Sequence, residues 1–260
     1  MRRTVIRRAG LAIAVFLTLA GVGATFAAFS GTTSNSGSSF NSASTFLAFV
    51  RNVGTADCGG ASDSVTVPAS GVAAGDTLIV RAAYRDRGSI AFATSVSDSA
   101  GNAYQRDLND TQNPVRGEVW SAYVATPLAA GDTITVTHPD LDGNSMAVSE
   151  FRGVDAIGRV DQAASNSGNS QNPSASVTTT NGNDLIIGSV AHDANDTTIT
   201  QPGGWNALPS VGTDCGIPPP HTLITLHGAY RIVSSTGTYT YDPTLPNNHQ
   251  WVDEVSSYKG

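Results

Sequence analysis

The stretch AAGDTITVT (129–137) contains the pattern that decides the fold of this chain. A Gly-Asp turn is followed by Ile134 and Val136 alternating with threonines, a period of two that predicts a β-strand with one face exposed to water. The turn recurs before an apolar run in AAGDTL (73–78) and, more loosely, in NGNDL (181–185). Tight Gly or Asn turns of this kind lead directly into strands. The copies are too unequal to predict a solenoid or a propeller.

Thirteen strand-like segments separated by turn residues are predicted outward from this pattern. They are 46–53, 64–67, 77–84, 92–98, 103–107, 118–125, 133–137, 146–151, 174–179, 184–191, 223–233, 237–241 and 251–258. The chain has only three Glu and one Lys against 18 Asp, so good helix formers are scarce. We therefore predict an all-β, antiparallel two-sheet sandwich of jelly-roll type with about a dozen strands and negligible helix outside the leader. Residues 46–260 are predicted to form a single domain.

The N-terminus has the organisation of a signal peptide. MRRTVIRR (1–8) is positively charged, residues 9–24 are apolar, and small residues lead to a cleavage site after Ala27. A Ser/Thr/Asn-rich tether is predicted over 28–45. An uncleaved leader would instead leave the apolar run as a membrane anchor. These features predict an extracellular or cell-surface protein, with the leader as its one contact with a membrane.

Cleavage also changes the charge of the chain. The leader carries four arginines and no acid precedes Asp57, so the formal net charge falls from −7 to −11 on cleavage. Such an acidic surface has no basic patch to neutralise phosphates, which excludes nucleic acid as a partner.

The two cysteines, Cys58 and Cys215, are predicted to form a disulfide, because an even number of cysteines in an exported protein usually pairs. The alternative is two free thiols. Neither cysteine has a second ligand at short range, so their spacing does not indicate zinc.

One polar turn is a candidate calcium site. HPDLDGN (138–144) offers Asp140, Asp142 and Asn144 as oxygen ligands. The turn departs from an EF-hand, since Gly143 is fourth in the loop and Glu150 falls one position early. An ordinary Asp/Gly hairpin turn is the alternative, and no other cofactor is predicted. Asp193, Asn195 and Asp196 form a similar, weaker acidic turn.

The remaining residues give no catalytic motif. His221 and His227 lie six apart, roughly 20 Å on a strand, which predicts surface roles and no shared ion. Trp120 and Trp251 lie in strand patterns and are predicted to pack in the core. Trp205, at a loop-to-strand entry after QPGG (201–204), is the candidate contact for a ligand such as a sugar.

Two resemblances add to these expectations. GATFAAFSGTTSNSGSSFNSAS (23–44) resembles the leader junction of the camelysin and biofilm-matrix-fibre proteins, which a SipW-type signal peptidase processes. The matching residues are Phe26, Ala27, Phe29, Ser30, Thr32, Asn35, Gly37 and Phe40, with Ala28 where an aromatic residue is usual. Residues 47–260 resemble a β-sandwich module of secreted bacterial proteins. Its landmarks here are VRNVGTADCGG (50–60), VTVPASGVAAGDTLIV (65–80), VSDSAGNAYQRD (96–107), VWSAYVATPLAAGDTITVTHP (119–139), AVSEFRGV (147–154), VTTTNGNDLIIG (177–188), AYRIVSSTGTYT (229–240) and SSYKG (256–260). This second resemblance implies a fold and an extracellular location and brings no catalytic residue.

We therefore expect a secreted or cell-surface module that is not an enzyme and has a structural or adhesive role, with association with a matrix or filament as one form of that role. Its expected partners are other surface or matrix proteins, or further copies of itself. A carbohydrate-binding module, with an extracellular glycan as ligand and exposed aromatics around Trp205, is the alternative. A polymer hydrolase is a third hypothesis, which requires two carboxylates in a cleft, one of them desolvated.

Overall fold

The computed structural model describes residues 46–85, 92–140, 143–215 and 223–260, and all its regular elements are antiparallel β-strands. Within these ranges no helix is long and apolar enough to cross a membrane. The fifteen strands of the described residues are β1 (Ala48–Asp57), β2 (Ser62–Thr66), β3 (Thr77–Arg85), β4 (Ser95–Asp98), β5 (Tyr104–Gln112), β6 (Val115–Tyr123), β7 (Thr133–Thr137), β8 (Gly143–Arg152), β9 (Val160–Ser170), β10 (Ala175–Thr178), β11 (Asp184–His192), β12 (Asn206–Asp214), β13 (Leu223–Val233), β14 (Thr238–Tyr241) and β15 (His249–Lys259).

In the described part of the chain, four sheets stack as layers. The first central sheet has the order β1-β8-β3-β6-β5, and the second central sheet has the order β12-β13-β11-β15-β9. Hydrophobic side chains of both central sheets share one core, in which Ile79 and Val119 pack with Leu185. A first cover sheet, β2-β7-β4, and a second cover sheet, β10-β14, lie on the outer faces of the central sheets.

The sequence patterns agree with these layers. β7 alternates buried Ile134 and Val136 with more exposed threonines, as expected for a cover strand with one wet face. The central strands β3 and β11 are buried almost along their whole length. Continuous apolar runs occur there because both faces of a central sheet are covered.

The chain folds as two halves that share a strand order. When β9, β10, β11, β12, β13, β14 and β15 are matched to β1, β2, β3, β5, β6, β7 and β8, the second central sheet repeats the order of the first. VSEFRG (148–153) and VSSYKG (255–260) occupy equivalent positions in β8 and β15. The registers agree: Thr77 pairs with Phe151 and Val80 with Val148, as Leu185 pairs with Tyr258 and Gly188 with Val255. Two of the three turns that repeat in the sequence precede β3 and β11, and the third precedes β7.

The disulfide joins the two halves. Cys58 follows β1 in the first half and Cys215 follows β12 in the second, with their Cα atoms 5.1 Å apart. The predicted pairing is confirmed. The bridge links positions 157 residues apart in sequence, so it closes a loop that spans most of both halves.

The core between the central sheets also contains charged groups. The fully buried Arg81 of β3 reaches the second central sheet, where its Nη2 donates to the carbonyl oxygen of Pro209 at 3.1 Å. Gly228 makes room for it, since a Cβ there would lie 1.8 Å from the Arg81 Nη1 atom. Glu254 of β15 lies against Gly117 in the same way, its Oε2 atom 2.6 Å from where a Cβ would be.

The all-β class and the sandwich architecture are confirmed, and the predicted jelly-roll topology is not. Four sheets are present among the described residues rather than the predicted two, because each half covers the outer face of its own central sheet. The described residues belong to one compact unit. The predicted leader and the whole of the predicted tether, 28–45, lie outside the described residues.

Candidate functional site

Three histidines lie in a diagonal row on the outer face of the second central sheet. His192 ends β11, His227 lies within β13, and His249 begins β15. His192 is paired with Trp251, two residues after His249, and His227 is paired with Val190, two residues before His192. Paired residues and residues two apart share a face, so the three imidazoles project to the same side.

The imidazoles contact one another directly. The Nε2 atoms of His192 and His227 are 3.0 Å apart, and their rings stack with centroids 5.2 Å apart at 11°. The rings of His192 and His249 stack with centroids 5.1 Å apart at 28°. His192 and His227 are fully buried, so the predicted surface role of His227 is wrong; His221 lies outside the described residues.

Two acids from the loop between β11 and β12 complete the group. Asp196 Oδ2 lies 3.0 Å from His249 Nε2, and Asp193 Oδ1 lies 3.5 Å from His249 Nδ1. Asp193 Oδ1 also accepts a 3.0 Å hydrogen bond from the backbone N–H of Gln250. We call His192, His227, His249, Asp193 and Asp196 the histidine cluster.

Burial keeps the inner imidazoles neutral. It lowers the pKa of His192 to about 3, helped by His227 and His249, and it lowers the pKa of His227 to about 4. Both rings are therefore uncharged at pH 7. Uncharged imidazole is the form that binds metals.

A serine–histidine pair borders the cluster. The exposed Ser210 has its Oγ atom 2.7 Å from His227 Nδ1. A general base works best when its pKa is near the operating pH. With a pKa of about 4, His227 is a weak base at pH 7, so the pair better serves to orient the ring than to activate a nucleophile.

The strongly perturbed carboxyls lie in the interior. Burial raises the pKa of Glu118 to about 7 and raises those of Asp253 and Glu254 well above their ordinary values. All three side chains belong to residues at most 1% exposed, where a polymer cannot reach them. Glu118 accepts a 2.7 Å hydrogen bond from the Ala93 N–H and one from Trp120 Nε1, and lies 3.4 Å from Arg106 Nε.

Depressions on the surface of the described residues contain few ionisable side chains. One, of about 390 Å³, is lined by Gly75, Tyr123, Gly153, Val154, Asp155, Ala156 and Gly260. Another, of about 330 Å³, is lined by Gln171, Thr198, Ile199, Thr200, Thr244, Leu245 and Pro246. Neither brings two carboxylates together.

The predicted ligand contact, Trp205, is 9% exposed. Its ring packs on Tyr241 with centroids 4.9 Å apart, and its Nε1 donates to the Thr240 carbonyl oxygen at 3.1 Å. The indole is thus part of the core beneath the second cover sheet and offers little surface to a sugar. Trp120 and Trp251 are also buried, as predicted.

The predicted calcium residues separate in the structure. Asp140 is exposed, Asp142 lies outside the described residues, and Asn144 is buried. Both amide atoms of Asn144 bind the backbone of Gly59: Oδ1 accepts from its N–H at 3.0 Å and Nδ2 donates to its carbonyl oxygen at 2.7 Å. The calcium site stays a prediction, with Asn144 already engaged by Gly59.

The histidine cluster was not predicted from the sequence because its members are far apart in the chain. His192, His227 and His249 are separated by 35 and 22 positions, and strand register alone brings them together. The one local signal is the acidic turn containing Asp193 and Asp196, which was a weak calcium candidate. In the structure these two acids face His249.

Comparison of the chain with known protein families, curated proteins and solved structures finds no match. The predicted resemblances at the leader and over residues 47–260 therefore stay predictions.

Proposed function

We propose that this chain is an extracellular structural or adhesive module without catalytic activity. The observation that carries the proposal is the Cys58–Cys215 bridge between the two halves. Disulfides persist in oxidising compartments. A covalent bridge keeps the two halves joined under mechanical or chemical stress, which a structural or adhesive module requires. The signal-peptide pattern at residues 1–27 predicts the same compartment.

The alternatives have less support. The hydrolase hypothesis requires carboxylates in a cleft, whereas Glu118, Asp253 and Glu254 lie in the interior. The carbohydrate-binding hypothesis relied on Trp205, whose ring packs against Tyr241. The proposed partners are surface or matrix proteins, including further copies of this chain.

The proposal is tested with the chain secreted from a bacterial host. The purified protein is labelled and added to washed cells and isolated matrix, with an unrelated acidic protein of similar charge as control. In parallel it is incubated with extracellular polysaccharides and proteins to detect soluble products.

We expect retention on cells or matrix, or sedimentation of the protein as assemblies, with no polymer cleavage. Release of soluble fragments from a polymer would overturn the absence of catalysis. Sedimentation as a monomer with no retention on cells or matrix would overturn the structural or adhesive role.

A further inference from the structure

We propose that the histidine cluster is a binding site for a divalent transition metal of the zinc type. His192, through its Nδ1 atom, His249 and Asp196 are the proposed ligands. This inference stands apart from the proposed function, because it concerns metal binding and needs neither export nor adhesion.

The distances fit such a site. One ligand atom from each of His192, Asp196 and His249 lies within 4.8 Å of the others. Zinc bonds of about 2.0–2.1 Å in a tetrahedron place neighbouring ligand atoms about 3.3 Å apart. The contact between His249 Nε2 and Asp196 Oδ2 is 3.0 Å. Side-chain shifts on the order of 1 Å would therefore close the shell around an ion.

The donor atoms select the class of metal. Imidazole nitrogens with one carboxylate oxygen suit Zn²⁺, Cu²⁺ or Ni²⁺, whereas Ca²⁺ and Mg²⁺ prefer oxygen ligands throughout. Among the described residues, the buried Nδ1 atom of His192 has no hydrogen-bond partner. An unpartnered buried nitrogen is costly, and its presence beside two further ligands points to a missing bound group.

Outer groups orient the ligands as metal sites require. Ser210 contacts Nδ1 of His227, and Nε2 of His227 contacts Nε2 of His192, which leaves the Nδ1 atom of His192 for the ion. Asp193 contacts His249 through Nδ1 while Nε2 faces Asp196. A histidine that binds metal through one nitrogen usually binds a carboxylate or another polar group through the other.

The cluster also has a route for the ion. The side chains of His249, Asp193 and Asp196 are 18%, 20% and 33% exposed, whereas those of His192 and His227 form the floor. The open side lies on the loop after β11, so an ion enters without disturbing the sheet.

The first half serves as an internal comparison. At the positions equivalent to His192 and His227 it has Tyr84 and Glu118, as the strand registers show. The same strand order therefore forms without imidazoles at these positions. The histidine row is a property of the second half and not a packing requirement of the fold.

The test uses full-length chain without a polyhistidine tag, stripped of metal with a chelator. Zn²⁺ is titrated by calorimetry, and Co²⁺ is added as a probe whose visible absorption reports tetrahedral coordination. The variants are Asp196→Asn and His249→Ala, both at partly exposed side chains, with the exposed Asp140→Asn as matched control. Circular dichroism shows that each variant is folded.

We expect one Zn²⁺ per chain at micromolar or tighter affinity. His249→Ala should weaken binding on the order of 100-fold and Asp196→Asn at least about 10-fold, while Asp140→Asn leaves it unchanged. Two results would overturn the proposal: no binding of Zn²⁺ by the unaltered chain at micromolar concentration, or affinities unchanged in both cluster variants. A parallel Ca²⁺ titration in which Asp140→Asn alone reduces binding would assign calcium to the separate turn.

Discussion

Opening the disulfide should destabilise the chain strongly while leaving its fold intact. Cys58 is exposed and Cys215 is half-buried, so a Cys58→Ser/Cys215→Ser variant removes the cross-link with little loss of buried surface. The two halves remain packed through the shared core of the central sheets, in which Ile79 meets Leu185. The effect should therefore arise mainly in the unfolded chain, which the bridge no longer constrains.

The size of the effect follows from the length of the closed loop. The bridged residues are 157 positions apart. In the chain-entropy treatment, a loop of this length corresponds to about 5 kcal/mol of stability at 25 °C. A less compact unfolded state also exposes more surface, so the slope of unfolding free energy against denaturant should rise.

Equilibrium unfolding in urea, followed by far-UV circular dichroism, measures both quantities. The unaltered chain is compared with the double variant and with the unaltered chain in a reductant, which should match the variant. A loss below about 1 kcal/mol with an unchanged denaturant slope would refute the reasoning.

Three further predictions concern the interior. Burial raises the pKa of Glu118 from 4.5 to about 7. Between these pH values the folded chain keeps the proton on Glu118, whereas the unfolded chain has released it. The unfolding free energy should therefore fall by about 3 kcal/mol as pH rises from 4.5 to 7. Glu118→Gln should remove this pH dependence of the unfolding free energy. Urea titrations that show the same pH dependence for the variant and the unaltered chain would contradict the prediction. Trp205→Ala should cost about 3–5 kcal/mol in the same assay because the indole is buried, and an unchanged midpoint would contradict its place in the core. Gly228→Ala should lower the unfolding free energy by about 1–3 kcal/mol, because the added Cβ collides with Arg81. Adding Arg81→Met should restore most of this stability. A double variant no more stable than Gly228→Ala would show that the collision is not the cause.

Much of the fold was predictable from the sequence because its signals are local. The alternation in β7 and the apolar runs in β3 and β11 identify cover and central strands directly. The scarcity of Glu and Lys identified the all-β class. The Gly and Asn turns before β3 and β11 lie at equivalent positions of the two halves, a correspondence that the structure reveals.

Two strands were missed because their sequences have no regular apolar alternation. β9 (VDQAASNSGNS) is polar, and its pairing with β15 determines its conformation. β12 contains Pro209 and an irregular register against β13, both typical of the edge of a sheet.

The histidine cluster depends on register, which the sequence does not reveal. His192 and His227 meet because β11 and β13 pair with Val190 opposite His227. A shift of one residue would turn one ring to the opposite face. The burial of Trp205 was not foreseen because it depends on packing against Tyr241 of β14, a contact between residues far apart in the sequence.

The central claim is that the chain is exported and that an oxidised bridge holds its two halves together. Mass spectrometry of the protein recovered from the medium of a bacterial host, with peptide mapping under non-reducing conditions, tests it most directly. We predict a chain that begins at Ala28, with the peptide containing Cys58 linked to the peptide containing Cys215. A chain that stays in the cell with its leader attached, or a secreted chain with both thiols free, would contradict the claim.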